Sequence, residues 1–148
     1  MTKPDYMGMA LAEAEAAAAR GEVPIGAVIV AGGTVVARDG NRTRELSDPT
    51  AHAEILVIRA AGRALGSQRL GEADLYVTLE PCAMCAGAIS FARIRRLYFG
   101  ATDDKGGAVV SGVRFFASPT CHHAPETYPG LGEVSASEIL KGFFRDRR

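Results

Sequence analysis

His52-Ala53-Glu54 and, further along, Pro81-Cys82-Ala83-Met84-Cys85 set one imidazole, one carboxylate and two thiols at a spacing that suits a metal ion. Zinc takes Cys sulfur and His nitrogen readily, and three protein ligands leave the fourth tetrahedral position to water, as a catalytic site requires. In Pro-Cys-x-x-Cys the proline suits the first turn of a helix, and residues three apart share a helical face, so both sulfurs reach one ion. The unpaired N–H groups at a helix start also favour thiolate, the form that binds metal. Thr50 is the expected N-cap of a second helix that carries His52 and continues through Ile55, Leu56 and Ile58. Glu54, two residues past His52, points in another direction and stays free to act as a proton acceptor beside a metal-activated water.

Two other uses of these residues compete. A lone Cys-x-x-Cys can be a redox pair, although the accompanying His-x-Glu has no part in that chemistry. A closed structural site would draw its fourth ligand from Cys121, His122 or His123 and would leave Glu54 without a function.

These residues need elements to position them. Residues from about Asp5 to Arg20 place Met7, Ala10, Leu11 and Ala14 at helical spacing, with Gly21 as a stop. Ile25 to Ala31 and Thr34 to Arg38 flank Gly32-Gly33 and predict a β-hairpin. A helix from Thr50 to about Leu65 precedes a strand at Asp74 to Leu79; a helix from Cys82 to about Ala92 precedes a strand at Arg95 to Gly100. Strand, metal helix, strand is a parallel crossover unit. Asp103 to Gly132, rich in Gly and Pro, is the least regular stretch, and Ser135-x-x-Glu138 is the expected capping box of a final helix.

With 148 residues, 47% of them hydrophobic and 23% charged, the chain suits one core and a single domain over residues 1–148. The longest uncharged stretch, Val23 to Ala37, is interrupted by glycines and falls short of the roughly 20 residues that span a bilayer. Glu13 and Glu15 break the alanine-rich stretch near the start, so no secretory signal is expected there. Two of the three cysteines are committed to metal, which fits a reducing, cytoplasmic compartment. A net charge of zero does not favour nucleic acid, but Lys141, Arg145, Arg147 and Arg148 crowd one end, and Arg93, Arg95 and Arg96 form a second cluster. Cations at a helix end also complement its dipole, so charge alone does not decide between the two uses.

His-x-Glu followed by Pro-Cys-x-x-Cys is the signature of zinc-dependent nucleobase deaminases. The likeness runs further. Glu22-Val23-Pro24-Ile25-Gly26-Ala27-Val28, Gly40-Asn41-Arg42, Asp48 through Ile55, Leu75 through Cys82 and Phe143 through Arg148 are similar, in order and over nearly the whole chain, to the bacterial tRNA-specific adenosine deaminases. The resemblance implies a three-layer α/β/α cytidine-deaminase-like fold, with a mixed five-stranded central sheet flanked by helices. It implies one zinc per subunit on His52, Cys82 and Cys85, with Glu54 as the catalytic proton carrier. Asn41, Ala53, Phe143, Phe144 and Arg145 become the expected substrate contacts, and Gly26 a close-packing residue near the pocket floor. The expected reaction is hydrolytic deamination of adenosine to inosine at the wobble position of an arginine tRNA with an ACG anticodon, and the expected partners are the tRNA anticodon stem-loop and a second copy of the chain.

The chain departs from the family in Cys121-His122-His123-Ala124-Pro125-Glu126 and in the second half of Asp103-Asp104-Lys105-Gly106-Gly107, loops expected to border the flanking nucleotides. Two further functions share the zinc core. One is deamination of a free nucleobase or nucleoside such as guanine, cytosine or cytidine, which has no need of the basic, aromatic C-terminal end. The other is a non-catalytic, zinc-stabilised RNA-binding module, which has no need of Glu54.

Overall fold

The computed structural model describes residues 4–147. Its elements run α1 (Tyr6–Ala19), β1 (Gly26–Ala31), β2 (Thr34–Gly40), α2 (Ala53–Leu65), β3 (Ala73–Leu79), α3 (Ala83–Ala92), β4 (Arg96–Ala101), a 3-10 turn (Phe115–Ala117), β5 (Glu126–Pro129) and α4 (Glu133–Arg145). Gly32 and Gly33 have φ of 58° and 76°, the left-handed backbone that a tight hairpin demands, and β1 and β2 pair antiparallel across them. β1 also pairs antiparallel with β3, while β3, β4 and β5 run parallel, giving a mixed sheet of order β2-β1-β3-β4-β5. The parallel step from β3 to β4 needs a crossover, and α3 is that crossover.

Side chains alternate across the pleat and so divide the core in two. Ala27, Ile29, Leu75, Val77, Leu97 and Phe99 point to the face covered by α2 and α3. Val28, Val30, Tyr76 and Tyr98 point to the opposite face, against α1; α4 joins α1 on that side. The result is the expected three-layer arrangement. Among the described residues no helix is long and apolar enough to cross a membrane.

The alanines of α1 have a packing reason. Ala10, Ala14 and Ala17 are buried, and the helix lies so close to β1 that a Cβ at Gly26 would meet the Ala10 carbonyl and come within 2.6 Å of Ala14 N. Gly40, the register partner of Gly26, is crowded by the same helix, with Glu13 O 2.7 Å from where its Cβ would stand. Gly26 therefore serves close packing on the α1 face of the sheet.

Three local expectations are corrected. The late loop contains a strand: β5 adds to β4 through an Arg96–Glu126 ion pair at 3.0 Å and a stack of Tyr98 on Tyr128 at 4.9 Å, contacts that its Gly- and Pro-rich surroundings do not announce. Ser135 is not a cap. α4 begins at Glu133 behind Gly132, because Gly130 and Leu131 still donate to Gly100 and Phe99 and the chain turns into the helix directly from the sheet edge. Thr50 caps nothing either, since α2 begins only at Ala53.

Gly26→Ala is expected to overpack the α1–β1 contact by about 1–3 kcal/mol, which thermal unfolding should register as a fall in Tm of about 3–10 °C. An unchanged Tm would mean that α1 is free to move off the sheet.

Candidate active site

His52 is the N-cap of α2 and Cys82 the N-cap of α3, each with extended backbone, so two helix starts meet at one point. Neither side chain caps its own helix, which leaves imidazole and thiol free for a ligand. The cap of α2 comes from elsewhere in the chain: buried Asn41 accepts the Ala53 N–H on Oδ1 at 2.8 Å. Thr50 instead donates its hydroxyl to Asp48 Oδ1 at 2.7 Å, tightening the turn that leads into His52. Pro81 stands just before the N-cap of α3 rather than in its first turn, and its carbonyl accepts the Ala108 N–H at 2.9 Å.

His52 Nδ1 lies 3.7 Å from Cys82 Sγ and 3.5 Å from Cys85 Sγ. A tetrahedral zinc with sulfur at about 2.3 Å and nitrogen at about 2.0–2.1 Å holds those two atoms about 3.6 Å apart. The trio therefore fits the ion. Among the described residues it is the one group of three or more His, Cys, Asp or Glu side chains placed to hold a metal, and Glu54 is outside it. Cys121, His122 and His123 do not approach. Cys121 Sγ contacts Ser90 Oγ at 3.6 Å and donates to the His123 carbonyl, while His123 Nε2 meets the Ile94 carbonyl at 2.8 Å. Ser90 is at the far end of α3, about 12 Å from Cys82 at the rise of an α-helix. A closed site with a fourth ligand from this loop is thus not formed.

Charge is already organised at the trio. A hydrogen bond from Cys85 holds the Cys82 thiol down at about 4, with His52 adding to the effect and burial opposing it. Cys85, the donor of that bond and fully buried, is pushed up, and the bond to Cys82 raises the His52 imidazole. The positive helix ends favour thiolate, and it is the thiolate that draws a cation, which would displace the remaining thiol proton. Glu54 is 4% exposed, and burial pushes its carboxyl up to about 7 against the opposing pull of its own backbone N–H and His52.

A cavity of about 540 Å³ opens at the C-terminal ends of β3 and β4, between Leu79, Asp103, Lys105 and the α4 residues Lys141 and Phe144. Phe144 is half exposed there, and Arg145 beside it is exposed. Phe143 points inward, meets Phe144 edge-on at 5.4 Å and is covered by the Arg147 guanidinium 3.6 Å from its ring centre. Arg148 lies outside the described residues. The structure therefore joins Asn41, Ala53, His52, Glu54, Cys82 and Cys85 in one centre, and places Phe144 in the wall of the cavity at the ends of β3 and β4.

Two buried carboxylates were not anticipated as organisers of this region. Glu22 accepts from the N–H groups of Glu45 at 2.8 Å and Arg44 at 3.1 Å and so folds the segment between Asn41 and His52. Glu80, directly before Pro81, collects the loop after β4. Burial alone would raise both carboxyls, but these donated bonds outweigh it and hold them below the ordinary range. The only local signal is an acidic residue abutting an apolar strand-like run; the partners are far away in sequence.

The MafB19-like deaminase family matches the chain over residues 1–148. The tRNA-specific adenosine deaminase of Agrobacterium fabrum is 68% identical over 143 residues, spanning 97% of this chain and 94% of that protein. The tRNA-specific adenosine deaminase of Bacillus subtilis is 44% identical and spans 97% and 89%. A solved structure from a study of A-to-I editing by tRNA:A34 deaminases at the wobble position superposes with a TM-score of 0.90 at 70% identity, covering 91% of this chain and 98% of the other. Guanine deaminase from Bacillus subtilis superposes with a TM-score of 0.68 at 28% identity, covering 96% and 95%.

Metal analysis of purified variants tests the centre. His52→Ala, Cys82→Ser and Cys85→Ser should each lose the ion, whereas Cys121→Ser and the pair His122→Ala with His123→Ala should keep about one per chain. Loss of metal from either of the latter would place the late loop in the coordination sphere.

Proposed function

We infer that this chain, which belongs to the MafB19-like deaminase family and within it to the tRNA-specific adenosine deaminases, hydrolyses the wobble adenosine of a tRNA anticodon to inosine. One observation carries the chemistry: three donors fitted to a metal stand beside a buried carboxylate that is not one of them. We take the ion to be zinc, one per subunit, because two sulfurs and one imidazole nitrogen are its preferred donors. Bound to His52, Cys82 and Cys85, zinc would supply a water acidified toward neutrality.

The protein's own groups do the rest. Burial raises the Glu54 carboxyl above the ordinary carboxylate range, which suits a group that must both accept and give a proton. Glu54 takes one proton from the attacking water and delivers it to the ring nitrogen beside C6; it then takes the second proton, from the oxygen now bonded to C6, and gives it to the departing amine as the C6–N bond breaks. The water oxygen replaces the amino nitrogen, and ammonia leaves. Asn41 fixes the start of α2 through Ala53 and so orients both His52 and Glu54; its amide group and the Ala53 backbone are proposed to meet the target nucleoside.

An adenosine amine is out of reach within a stack, whereas an anticodon loop presents unstacked bases. Phe144 offers an exposed ring for stacking, and Arg145 and Lys141 offer charge for phosphate. Phe143 supports that surface from beneath. The specific substrate proposed is the arginine tRNA with an ACG anticodon, which places the enzyme in the cytoplasm. A homodimer is proposed as well: Met84, Gly87, Ala88 and Phe91 form one apolar stripe of α3, with Phe91 74% exposed, and a second copy of the same stripe is a suitable cover. A single domain is proposed to carry the whole site.

Incubation with the tRNA, followed by sequencing in which inosine reads as guanosine, should show conversion at the wobble position. Ammonia release from free adenosine, cytidine and guanine should be slow, because binding energy from the surrounding loop positions the reacting carbon. Glu54→Ala should abolish turnover, by roughly 10²-fold or more, while retaining metal. Rapid ammonia release from guanine with the tRNA unchanged would assign the site to free-base deamination.

A further inference from the structure

Glu80 occupies the single position between the end of β3 and Pro81-Cys82, and it is 3% exposed. Its Oε1 accepts from the Asp103 N–H and the Ser111 hydroxyl, both at 2.9 Å. Its Oε2 accepts from the N–H groups of Val109 at 3.0 Å, Val110 at 2.9 Å and Ser111 at 2.9 Å. Alongside, the Pro81 carbonyl takes the Ala108 N–H, and the Asp103 carbonyl takes the Gly107 N–H at 2.8 Å. The loop after β4 is thus wound around one carboxylate. The winding leaves no space: a Cβ at Gly107 would stand 2.6 Å from Glu80 Oε1 and 2.5 Å from Asp103 O. The segment held on Oε1 begins the Asp103–Lys105 wall of the cavity that Phe144 and Lys141 close from the other side. The same glutamate is two residues from the metal ligand Cys82.

We propose that Glu80 is a positioning residue for the substrate: it fixes the Asp103–Lys105 wall relative to the metal ligands, so that RNA around the reacting base docks at a set distance from Glu54. This rests on the reading of the chain as a tRNA deaminase. Glu80 touches neither the base nor the metal, so its effect is on docking and not on the proton transfers.

Chemistry makes the test sharp. In Glu80→Gln only one of the two side-chain ends can still accept. The three backbone N–H groups on Oε2 have no alternative acceptor there, whereas the Ser111 hydroxyl on Oε1 can turn and accept. The amide nitrogen therefore goes to the Oε1 side, where it faces the Asp103 N–H donor to donor. Asp103 alone loses its acceptor.

The experiment uses the full chain loaded with zinc, with inosine formation measured on an anticodon stem-loop RNA and expressed per bound metal, and with amide exchange followed by NMR. Glu80→Gln is expected to raise KM roughly tenfold, to leave kcat per metal within about twofold, and to speed exchange at Asp103 while Val109, Val110 and Ser111 stay protected. Gly107→Ala, which crowds the carboxylate from the loop side with Glu80 intact, is expected to raise KM in the same way and decides the matter if Glu80→Gln does not fold. A fall in kcat at unchanged KM, as a simple loss of folded enzyme would give, overturns the proposal, as do unchanged kinetics or unchanged exchange at Asp103. A wild-type chain that forms no inosine in the stem-loop overturns the reaction instead, and exchange at Asp103 then judges the positioning by itself.

Discussion

Three donor atoms from two helices must stand within a few ångströms of one another before any metal arrives, and the fold is arranged around that demand. Cys82 and Cys85 come from one helix start and satisfy it by local geometry, but His52 comes from another helix 30 residues earlier. It reaches 3.5–3.7 Å from the sulfurs because α2 packs on β1 and β2 while α3 crosses from β3 to β4 on the same face. Asn41 then fixes where α2 begins by taking its first N–H. A shift of one residue in that start would turn His52 away from the sulfurs and Glu54 out of the site, since each residue rotates about 100° around a helix.

Three buried glutamates show how burial can be put to opposite uses. Glu22 and Glu80 are surrounded by N–H donors, which outweigh burial and keep them ionised. They act as fixed anions around which loops fold. In Glu54 burial is the largest influence, and the carboxyl rises to about 7. A carboxylate saturated with donors cannot exchange a proton easily, whereas one left short of donors in an apolar setting can. The count of donors, more than the residue type, separates the structural acids from the chemical one.

The hairpin, the helix–strand alternation and the pairing of the two sulfurs could be read from the sequence because each depends on neighbours a few residues apart: Cys-x-x-Cys on one turn, Gly-Gly between apolar runs. His52, 30 residues away, was legible only through the joint His-x-Glu and Pro-Cys-x-x-Cys pattern. The caps could not. Thr50 and Ser135 carry the right side chains, but Asn41 supplies the cap of α2 from outside, and sheet pairing at Gly130 and Leu131 starts α4 early. β5 is four residues long and is held by Tyr98 and Arg96, which nothing in its own composition reveals. The loop-holding roles of Glu80 and Glu22 are hidden for the same reason, since their partners lie more than 20 residues away.

The central claim is a three-ligand metal centre with its fourth position open and Glu54 outside it. X-ray absorption at the zinc edge of the purified protein tests this most directly. The account predicts two sulfurs at about 2.3 Å and two light atoms at about 2.0–2.1 Å, one of them showing the multiple scattering of imidazole. The spectrum should be unchanged in Glu54→Ala. A third sulfur, a second imidazole, or a light-atom shell that is lost in Glu54→Ala would contradict it.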